Sequence, residues 1–434
     1  MNLSSRPRGV VAVAGALTML ALAGCSGGSG SGDGVEIDFL VDNSADTVAA
    51  AEALVEAFEA DHPNISVTLE TRPGGAEGDN IVKTRLSTGE MADVFIYNTG
   101  SLFQALNPDS TLVEMSDQPW ASELDEEFVN TVSTENGTYG NAWGATFGGG
   151  ILYNRAVYED LGLEVPQSWD EFMANNETIA AESDVAPVIQ TYGATFTSQL
   201  WVLADFGNVL ADDPEWADEY TANNRAYAEE PAVAGFEHLQ EVQEGGYFNE
   251  DFASATDADG ARMLAEGAGA HYPMLSNLVA QIQQIAPDAV QDIGYFAMPA
   301  EDAASTTATI WQATGVYVPQ TTEDAEREAA MSLVEFITSD AGCEIQNEHL
   351  TAAGPYPGTC ELPEDAPPIL TDLQTYVDEG RSAPALEFLS PIKGPNLEHI
   401  LVEVGSGIRP AGDAAARYDQ DVVNQAQQLG IEGW

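Results

Sequence analysis

Positively charged side chains are scarce in this sequence. The 434 residues contain 13 lysines and arginines against 71 aspartates and glutamates, which gives a formal net charge of −58. A surface with this charge repels nucleic acids and anionic lipid headgroups, so it argues against a nucleic-acid partner and against phosphorylated ligands. The acidic residues are spread along the whole chain, which is typical of a solvated acidic surface rather than of a cation-binding tail.

Motifs of catalysis and cofactor binding are also missing. The five histidines form no HExxH pair, and the sequence has neither a GxSxG motif nor a phosphate-binding Walker loop. Pairs of carboxylates occur, but 71 acidic residues supply them by chance, so they do not indicate glycoside hydrolysis. The sequence therefore predicts a protein that is not an enzyme and that carries no cofactor and no metal.

The N-terminus has the pattern of an export signal. Arg6 and Arg8 precede an apolar run over residues 10–22, which is short for a membrane-spanning helix. The run ends in Leu-Ala-Gly-Cys25, which looks like a bacterial lipobox. In a lipobox the cysteine becomes the lipidated first residue of the mature protein. The alternative is an ordinary signal with an incidental cysteine. We expect residues 1–25 to be a lipoprotein signal, residues 26–34 to be a Gly/Ser tether, and the protein to be anchored at the outer face of the cell membrane.

Cysteine is rare, with three residues in the chain. If Cys25 carries the anchor, Cys343 and Cys360 are left in an oxidising compartment, where they close a short loop. We predict a disulfide between these two residues.

The first hundred residues predict alternating strands and helices. Strands are expected at 35–41, 65–69 and 92–97, because apolar and β-branched residues dominate there. Helices are expected at 47–60 and 80–87, where apolar residues recur at helical spacing. The β-α-β-α-β order predicts an open α/β sheet, in which ligands bind at the carboxyl ends of the strands.

The remainder of the chain is predicted to be richer in helix. Three amphipathic helices are expected at 169–183, 231–245 and 325–339. Short strands are expected between them, at 150–153, 186–189 and 315–318. The sequence has no internal repeat and no low-complexity linker, so two domains would have to be joined by more than one crossing of the chain.

The order of these segments resembles family 1 extracellular solute-binding proteins, the group that includes maltose-binding proteins. The matching pieces are the first strand, residues 89–97 (GEMADVFIY), 152–155 (LYNR), 166–172 (PQSWDEF), 266–273 (EGAGAHYP), 335–339 (EFITS) and 415–434. Together they cover nearly all of the mature chain. The last piece is similar to the tails of actinobacterial sugar-binding lipoproteins.

The resemblance implies an α/β, two-lobed periplasmic-binding-protein fold (type II-like), in which each lobe is an open α/β sheet and the ligand lies in the cleft between the lobes. It places residues 35–145 and 301–346 in lobe 1, and residues 146–300 and 347–434 in lobe 2. It also implies a monomer that binds a saccharide and delivers it to the permease subunits of an ABC importer. Two other functions remain open from the sequence: binding of a cationic ligand such as a polyamine or peptide, and secreted glycan hydrolysis.

A sugar-binding cleft needs aromatic side chains for the faces of the sugar ring and planar polar side chains for its hydroxyl groups. By resemblance, Tyr97 occupies a position where relatives often place a stacking aromatic residue, and Met274 stands where they often place tryptophan. The full set of expected ligand contacts is Asp42, Asn43, Tyr97, Asn98, Thr99, Ser101, Phe147, Tyr192, Phe196, Met274, Ser276, Trp311, Gln312, Thr314 and Lys393.

Structural roles for several of these residues remain open. Tyr97 can simply end its buried strand, and Asp42 with Asn43 can form an ordinary turn. Phe147 is followed by three glycines, which suits either a hinge or a bulged strand edge. Lys393 can donate to a sugar hydroxyl or form a surface ion pair.

Overall fold

The computed structural model describes residues 34–431 and 433–434. The expected signal, lipobox cysteine and nearly all of the tether lie outside these residues. Among the helices of the described part of the chain, none combines the length and the apolar character needed to cross a bilayer.

The strands of the described chain are, in order, β1 (Val35–Asp42), β2 (Ile65–Arg72), β3 (Val94–Tyr97), β4 (Ser133–Thr134), β5 (Gly137–Thr138), β6 (Gly140–Trp143), β7 (Phe147–Asn154), β8 (Ala186–Val188), β9 (Gly269–Leu275), β10 (Ile293–Phe296), β11 (Ala308–Trp311), β12 (Thr314–Tyr317) and β13 (Ser382–Pro384).

The α-helices are α1 (Ala45–Asp61), α2 (Gly75–Thr88), α3 (Ser101–Gln104), α4 (Pro108–Thr111), α5 (Glu126–Thr131), α6 (Arg155–Leu161), α7 (Trp169–Glu182), α8 (Leu200–Leu203), α9 (Phe206–Asp212), α10 (Trp216–Thr221), α11 (Ala234–Gly245), α12 (Asp257–Ala265), α13 (Leu278–Ile285), α14 (Asp324–Ile337), α15 (Asp340–His349), α16 (Pro368–Asp378), α17 (Leu386–Leu389), α18 (Leu397–Gly405) and α19 (Ala411–Leu429). Short 3₁₀ turns cover Pro119–Glu123, Thr195–Gln199 and Val290–Asp292.

Lobe 1 is built on a sheet with the strand order β2-β1-β3-β12-β6. Strands β1, β2 and β3 are parallel, and β12 runs antiparallel between β3 and β6. The side chains of β1 alternate between the two faces, so Phe39 packs on the face covered by α1 and α14 while Leu40 packs against the α2 face. The expected β-α-β-α-β order is confirmed, and its three strand ends meet at one edge of the sheet.

Lobe 2 is built on a sheet with the order β13-β11-β7-β9-β8, and β10 pairs with the second half of β7. Strand β7 is buried along nearly its whole length because it lies in the middle of this sheet. Helices on both faces complete a core that includes Trp169, Trp201 and Trp216. The two-lobed α/β fold expected from the sequence is therefore observed.

Within the described residues, the chain passes between the lobes three times. It crosses through residues 144–146 between β6 and β7, through residues 312–313 between β11 and β12, and through the segment after α15. Strand β11 pairs with β7 and β13 of the second sheet. The lobe boundary expected at residue 301 therefore differs from the strand pairing, since residues 308–311 still belong to the second sheet and the first sheet resumes with β12 at residue 314.

The Cys343–Cys360 disulfide predicted from the sequence is present, with the two Cα atoms 5.1 Å apart. It joins α15 to the third crossover. Nearby, the Thr146 backbone N–H donates to the Pro355 carbonyl at 2.7 Å, which ties the first crossover to the third. The disulfide thus lies beside the first and third crossovers.

Candidate functional site

A cavity of about 340 Å³ lies between the lobes, beside the second crossover. Its volume is in the range of pockets that hold small molecules. Both lobes and the crossover contribute to its wall. The lining residues are Asn98, Thr99, Ser101, Leu102, Phe147, Trp311, Gln312, Ala313, Thr314, Glu387 and Phe388.

Two aromatic side chains form one wall of this cavity. Trp311 and Phe147 are opposite each other at the last paired position of β11 and β7, and their rings stack with centroids 5.9 Å apart and planes 10° apart. Gly149 makes room for the indole, because a Cβ at that position would lie 2.6 Å from Trp311 Cζ3. The sheet therefore fixes both rings before any ligand arrives, which reduces the entropy lost on binding.

A third aromatic ring lies where the lobes touch. Gly100 has a φ of +64°, and a Cβ there would lie 2.6 Å from Phe388 Cα. The left-handed backbone conformation and the close approach both favour glycine at this position. Lobe 1 and the short helix α17 of lobe 2 thus meet at the end of the cavity, where Phe388 adds an apolar face.

The polar groups of the cavity belong mainly to the loop after β3 and to the second crossover. Tyr317 Oη donates to the Asn98 carbonyl at 3.2 Å, and Thr99 Oγ1 donates to the Ala313 carbonyl at 3.3 Å, so the loop is held in place. The Asn98 side chain is exposed, whereas Gln312 is 7% exposed. These groups offer both donors and acceptors to a ligand with hydroxyl groups.

Glu387 is the one carboxylate among the described residues that line this cavity. Its Oε2 lies 3.4 Å from Lys393 Nζ, and both side chains are 40% exposed. Lys393 therefore forms a surface ion pair, which is one of the two roles that the sequence allowed for it. It offsets part of the negative charge at the wall, and a partly exposed pair of this kind contributes little to stability.

Seven of the expected contact residues line the cavity. They are Asn98, Thr99, Ser101, Phe147, Trp311, Gln312 and Thr314. They come from the loop after β3, from the start of α3, and from the first and second crossovers with the strand ends beside them, where the two sheets approach each other.

Tyr97, which was expected to be a stacking contact, does not line this cavity. The residue is 0% exposed and its ring packs in the lobe 1 core, with the Arg72 guanidinium 5.7 Å from the ring centroid. Burial raises the pKa of the Tyr97 hydroxyl, and the nearby Asp79 carboxylate adds to this. Strand β3 is covered on both faces, so a side chain at its end points into the core as readily as out of it.

Two other expected contacts, Ser276 and Asp42, have structural roles. Ser276 is fully buried; its Oγ accepts from the Gly148 backbone N–H at 2.9 Å and donates to the carbonyl of Ala353, so it connects β7 to the third crossover. Asp42 Oδ1 accepts from the Ser44 backbone N–H at 2.9 Å, which is the turn role that had remained open. These side chains lie outside the cavity wall.

The remaining expected contacts also lie outside the cavity wall. Asn43 is exposed at the end of β1, and its backbone N–H donates to the Arg72 carbonyl. Tyr192 and Met274 are buried in the lobe 2 core, and Phe196 packs against that core. The Tyr192 hydroxyl lies so close to Gly405 that position 405 has no room for a side chain.

Sequence reasoning missed Glu387 and Phe388. Both belong to α17, a helix of four residues that is too short to show an apolar period. Lys393, a few residues further along the chain, was expected to face the cleft. Nothing in the sequence shows that Glu387 and Phe388 reach the cavity.

Comparisons with known proteins agree with this architecture. A family model described as bacterial extracellular solute-binding protein matches residues 42–342. The apo-form of RafE from Streptococcus pneumoniae superposes with a TM-score of 0.73 at 18% identity, over 91% of this chain and 99% of that one, which is a similarity of fold.

Two curated proteins are similar in sequence over shorter stretches. The multiple sugar-binding protein of Streptococcus mutans is 27% identical over 180 residues, 41% of each chain. The melibiose/raffinose/stachyose-binding protein MelE of Bacillus subtilis is 24% identical over 170 residues, 38% of this chain and 39% of that protein. The chain thus matches about two fifths of the length of these relatives.

Proposed function

The chain belongs to the bacterial extracellular solute-binding proteins, and on that premise we propose that it is the substrate-binding subunit of an ABC importer, which binds a neutral sugar or oligosaccharide and delivers it to membrane permease subunits. The observation that carries the proposal is the cavity between the lobes, with Trp311 and Phe147 stacked on one wall and amide and hydroxyl groups beside them. The printed names of the two curated relatives, both of them sugar-binding proteins, support the same class of ligand.

The chemistry of the cavity favours a neutral saccharide over the alternatives. A sugar ring has apolar faces that pack on aromatic rings, and hydroxyl groups that exchange hydrogen bonds with groups such as Asn98 and Gln312. A polyamine would need carboxylates that are free to face it, whereas Glu387 is paired with Lys393. Hydrolysis would need two carboxyl groups flanking the bond, so we propose binding without catalysis.

The cellular setting is part of the same proposal. The protein acts outside the cytoplasm as a monomer, held at the outer face of the cell membrane by lipid on Cys25. The ligand closes the lobes over the cavity, and the closed form is the one that the permease recognises.

A thermal-shift screen tests the ligand class. The panel contains galactose, melibiose, raffinose, stachyose, xylose and xylobiose, with spermidine and a basic tripeptide as cationic ligands. We expect at least one neutral saccharide to raise the melting temperature in a concentration-dependent way, because a ligand that binds only the folded state stabilises it. Stabilisation by spermidine or the tripeptide alone would contradict the proposal, as would release of reducing ends from an oligosaccharide.

A further inference from the structure

The two lobes touch each other at the candidate binding site. The contact joins Gly100, which directly precedes α3 in lobe 1, to Phe388 of α17 in lobe 2. A Cβ atom added at Gly100 would lie 2.6 Å from Phe388 Cα, 2.8 Å from its Cδ1 and 3.1 Å from its Cβ. The contact borders the space that a ligand would occupy, because the cavity wall includes Phe388 itself and the neighbouring residues Ser101, Leu102 and Glu387.

On the lobe 1 side, the backbone of Gly100 is held in place. The residue is buried, its N–H donates to the Thr131 carbonyl at 2.8 Å, and its carbonyl accepts from the Gln104 N–H at 3.0 Å. Its φ of +64° is a conformation that glycine adopts without strain. The loop after β3 therefore presents bare backbone to lobe 2 at a fixed position.

On the lobe 2 side, Phe388 is tied to the strand that carries Trp311. The Phe388 N–H donates to the Ala385 carbonyl at 3.0 Å, and the Ala385 N–H donates to the Ile310 carbonyl at 2.8 Å. The Phe388 ring also packs against the lobe 2 core. Because Ile310 and Trp311 are neighbours on β11, the position of Phe388 is coupled to that of the aromatic wall of the cavity.

We propose that the contact between Gly100 and Phe388 is the point at which the approach of the lobes stops, so that these two positioning residues set the width of the binding cavity. Two carbon atoms in van der Waals contact lie about 3.5–4.0 Å apart. A side chain at position 100 would meet Phe388 Cα at a shorter distance, and rotation of a side chain cannot move a backbone atom away. The lobes would therefore have to separate by about 1 Å.

This separation would change the binding site because both lobes line it. Asn98 and Thr99 belong to lobe 1, whereas Phe147 and Trp311 belong to lobe 2. A saccharide stacked on the aromatic wall would then lie about 1 Å too far from the polar groups of the loop after β3, which lengthens its hydrogen bonds. This part of the inference rests on the proposed function, whereas the contact between the lobes does not.

A cross-linking experiment tests the contact without any ligand. In the full-length Gly100→Cys/Phe388→Cys variant the two Cβ atoms would lie 3.1 Å apart in this structure. A disulfide needs about 3.5–4.5 Å, so a small separation of the lobes brings the pair into range. Mild oxidation with copper phenanthroline is followed by peptide mass mapping under non-reducing conditions. We expect an intramolecular bridge between positions 100 and 388 in most molecules.

The matched control is the Gly162→Cys/Phe388→Cys variant. Gly162 has the same φ of +64°, and a Cβ there would meet no atom within 4 Å. The control therefore carries the same backbone strain and the same number of added thiols, but its two positions are not in contact. We expect it to form no intramolecular bridge, and we expect the native Cys343–Cys360 disulfide to stay intact in both variants.

The effect on binding is measured by calorimetry with the saccharide of the thermal-shift panel that stabilises the parent most. Gly100→Ala is expected to bind it about tenfold more weakly than Gly162→Ala, because the binding-competent form is less populated when the lobes cannot meet. The two variants share the same backbone strain, so thermal melts should show similar losses of stability. A merely structural role of Gly100 predicts a lower melting temperature with unchanged affinity.

Two results would overturn the proposal. One is a folded Gly100→Cys/Phe388→Cys variant that forms no more bridge than the control. The other is an affinity of Gly100→Ala equal to that of Gly162→Ala. If no saccharide of the panel binds to the parent, the proposed function fails, and the cross-link alone decides whether the lobes meet at this contact.

Discussion

Trp311 and Tyr97 show how two aromatic residues near one cleft can have different roles. Trp311 lies on the cavity wall, stacked on Phe147, whereas Tyr97 lies inside the lobe 1 core. A residue that covers one face of a sugar removes apolar surface from water, which is worth about 1–3 kcal/mol. A buried residue away from the cavity contributes to folding instead.

We therefore expect Trp311→Ala to weaken saccharide binding by about one to two orders of magnitude. Tyr97→Phe should bind like the parent and keep its fold, because the ring lies outside the cavity wall and the substitution retains the buried ring. Calorimetry with the best saccharide of the screen and thermal melts measure both effects. Unchanged affinity in Trp311→Ala would show that the ligand lies elsewhere, and weakened affinity in Tyr97→Phe would restore a binding role to that residue.

Asp205 is a carboxyl group buried in lobe 2, at 2% exposure. Burial raises its pKa to about 6, although His238 and a hydrogen bond from Asn208 Nδ2 at 2.7 Å lower it in part. A raised pKa means that the folded protein holds the proton more tightly than the unfolded chain. The stabilising contribution is thus complete below the ordinary pKa of 3.8 and is lost as the pH rises through about 6.

Asp205→Asn should consequently be more stable than the parent at pH 8, by about 2–3 kcal/mol, since the amide has no charge to bury. The advantage should shrink below pH 6 and vanish near pH 4. Urea unfolding across this range measures the difference, with Asp218→Asn at an exposed position as the control. A difference that does not change with pH would mean that folding does not raise the pKa of Asp205.

At the scale of elements, the disulfide connects α15 to the third crossover. Its two cysteines are separated by 17 positions, and closing a loop of this length in the unfolded chain contributes about 3 kcal/mol in the chain-entropy model. The bridge also holds Tyr356, which packs against both cysteines, beside the first crossover.

Reduction of this disulfide, or the double substitution Cys343→Ser with Cys360→Ser, should lower the free energy of unfolding by about 2–4 kcal/mol. Urea midpoints with and without a reducing agent test this. The double variant serves as its own control, because a reductant should have no further effect on it. An unchanged midpoint on reduction of the parent would show that the bridge does not constrain the unfolded chain.

The strands and helices of lobe 1 were predictable because their apolar periods are local properties of the sequence. The position of the second crossover was not. Strands β11 and β12 are separated by two residues, and both are short and buried, so nothing local shows that they belong to different sheets. The cavity residues of α17 were missed for the same reason: their place depends on how the lobes meet.

For the whole molecule, the membrane anchor is the part of the proposal that lies outside the described residues. Cys25→Ser should release the protein from the membrane fraction, because the tether that follows contains only glycine, serine and one aspartate before residue 35. Fractionation by ultracentrifugation and immunoblotting measures the effect. Ser31→Ala, in the same tether, is the matched control and should stay with the membrane; retention of Cys25→Ser would contradict the lipobox interpretation.

The position of β12 in the first sheet has a consequence for how the chain is made. This strand fills the gap between β3 and β6, but it is synthesised only after the whole segment 144–313. The nascent N-terminal half therefore cannot complete its own sheet, and contacts between such distant parts of a chain form slowly. We expect the first sheet to stay incomplete until residue 317 has been synthesised, which delays folding of the N-terminal part of the chain.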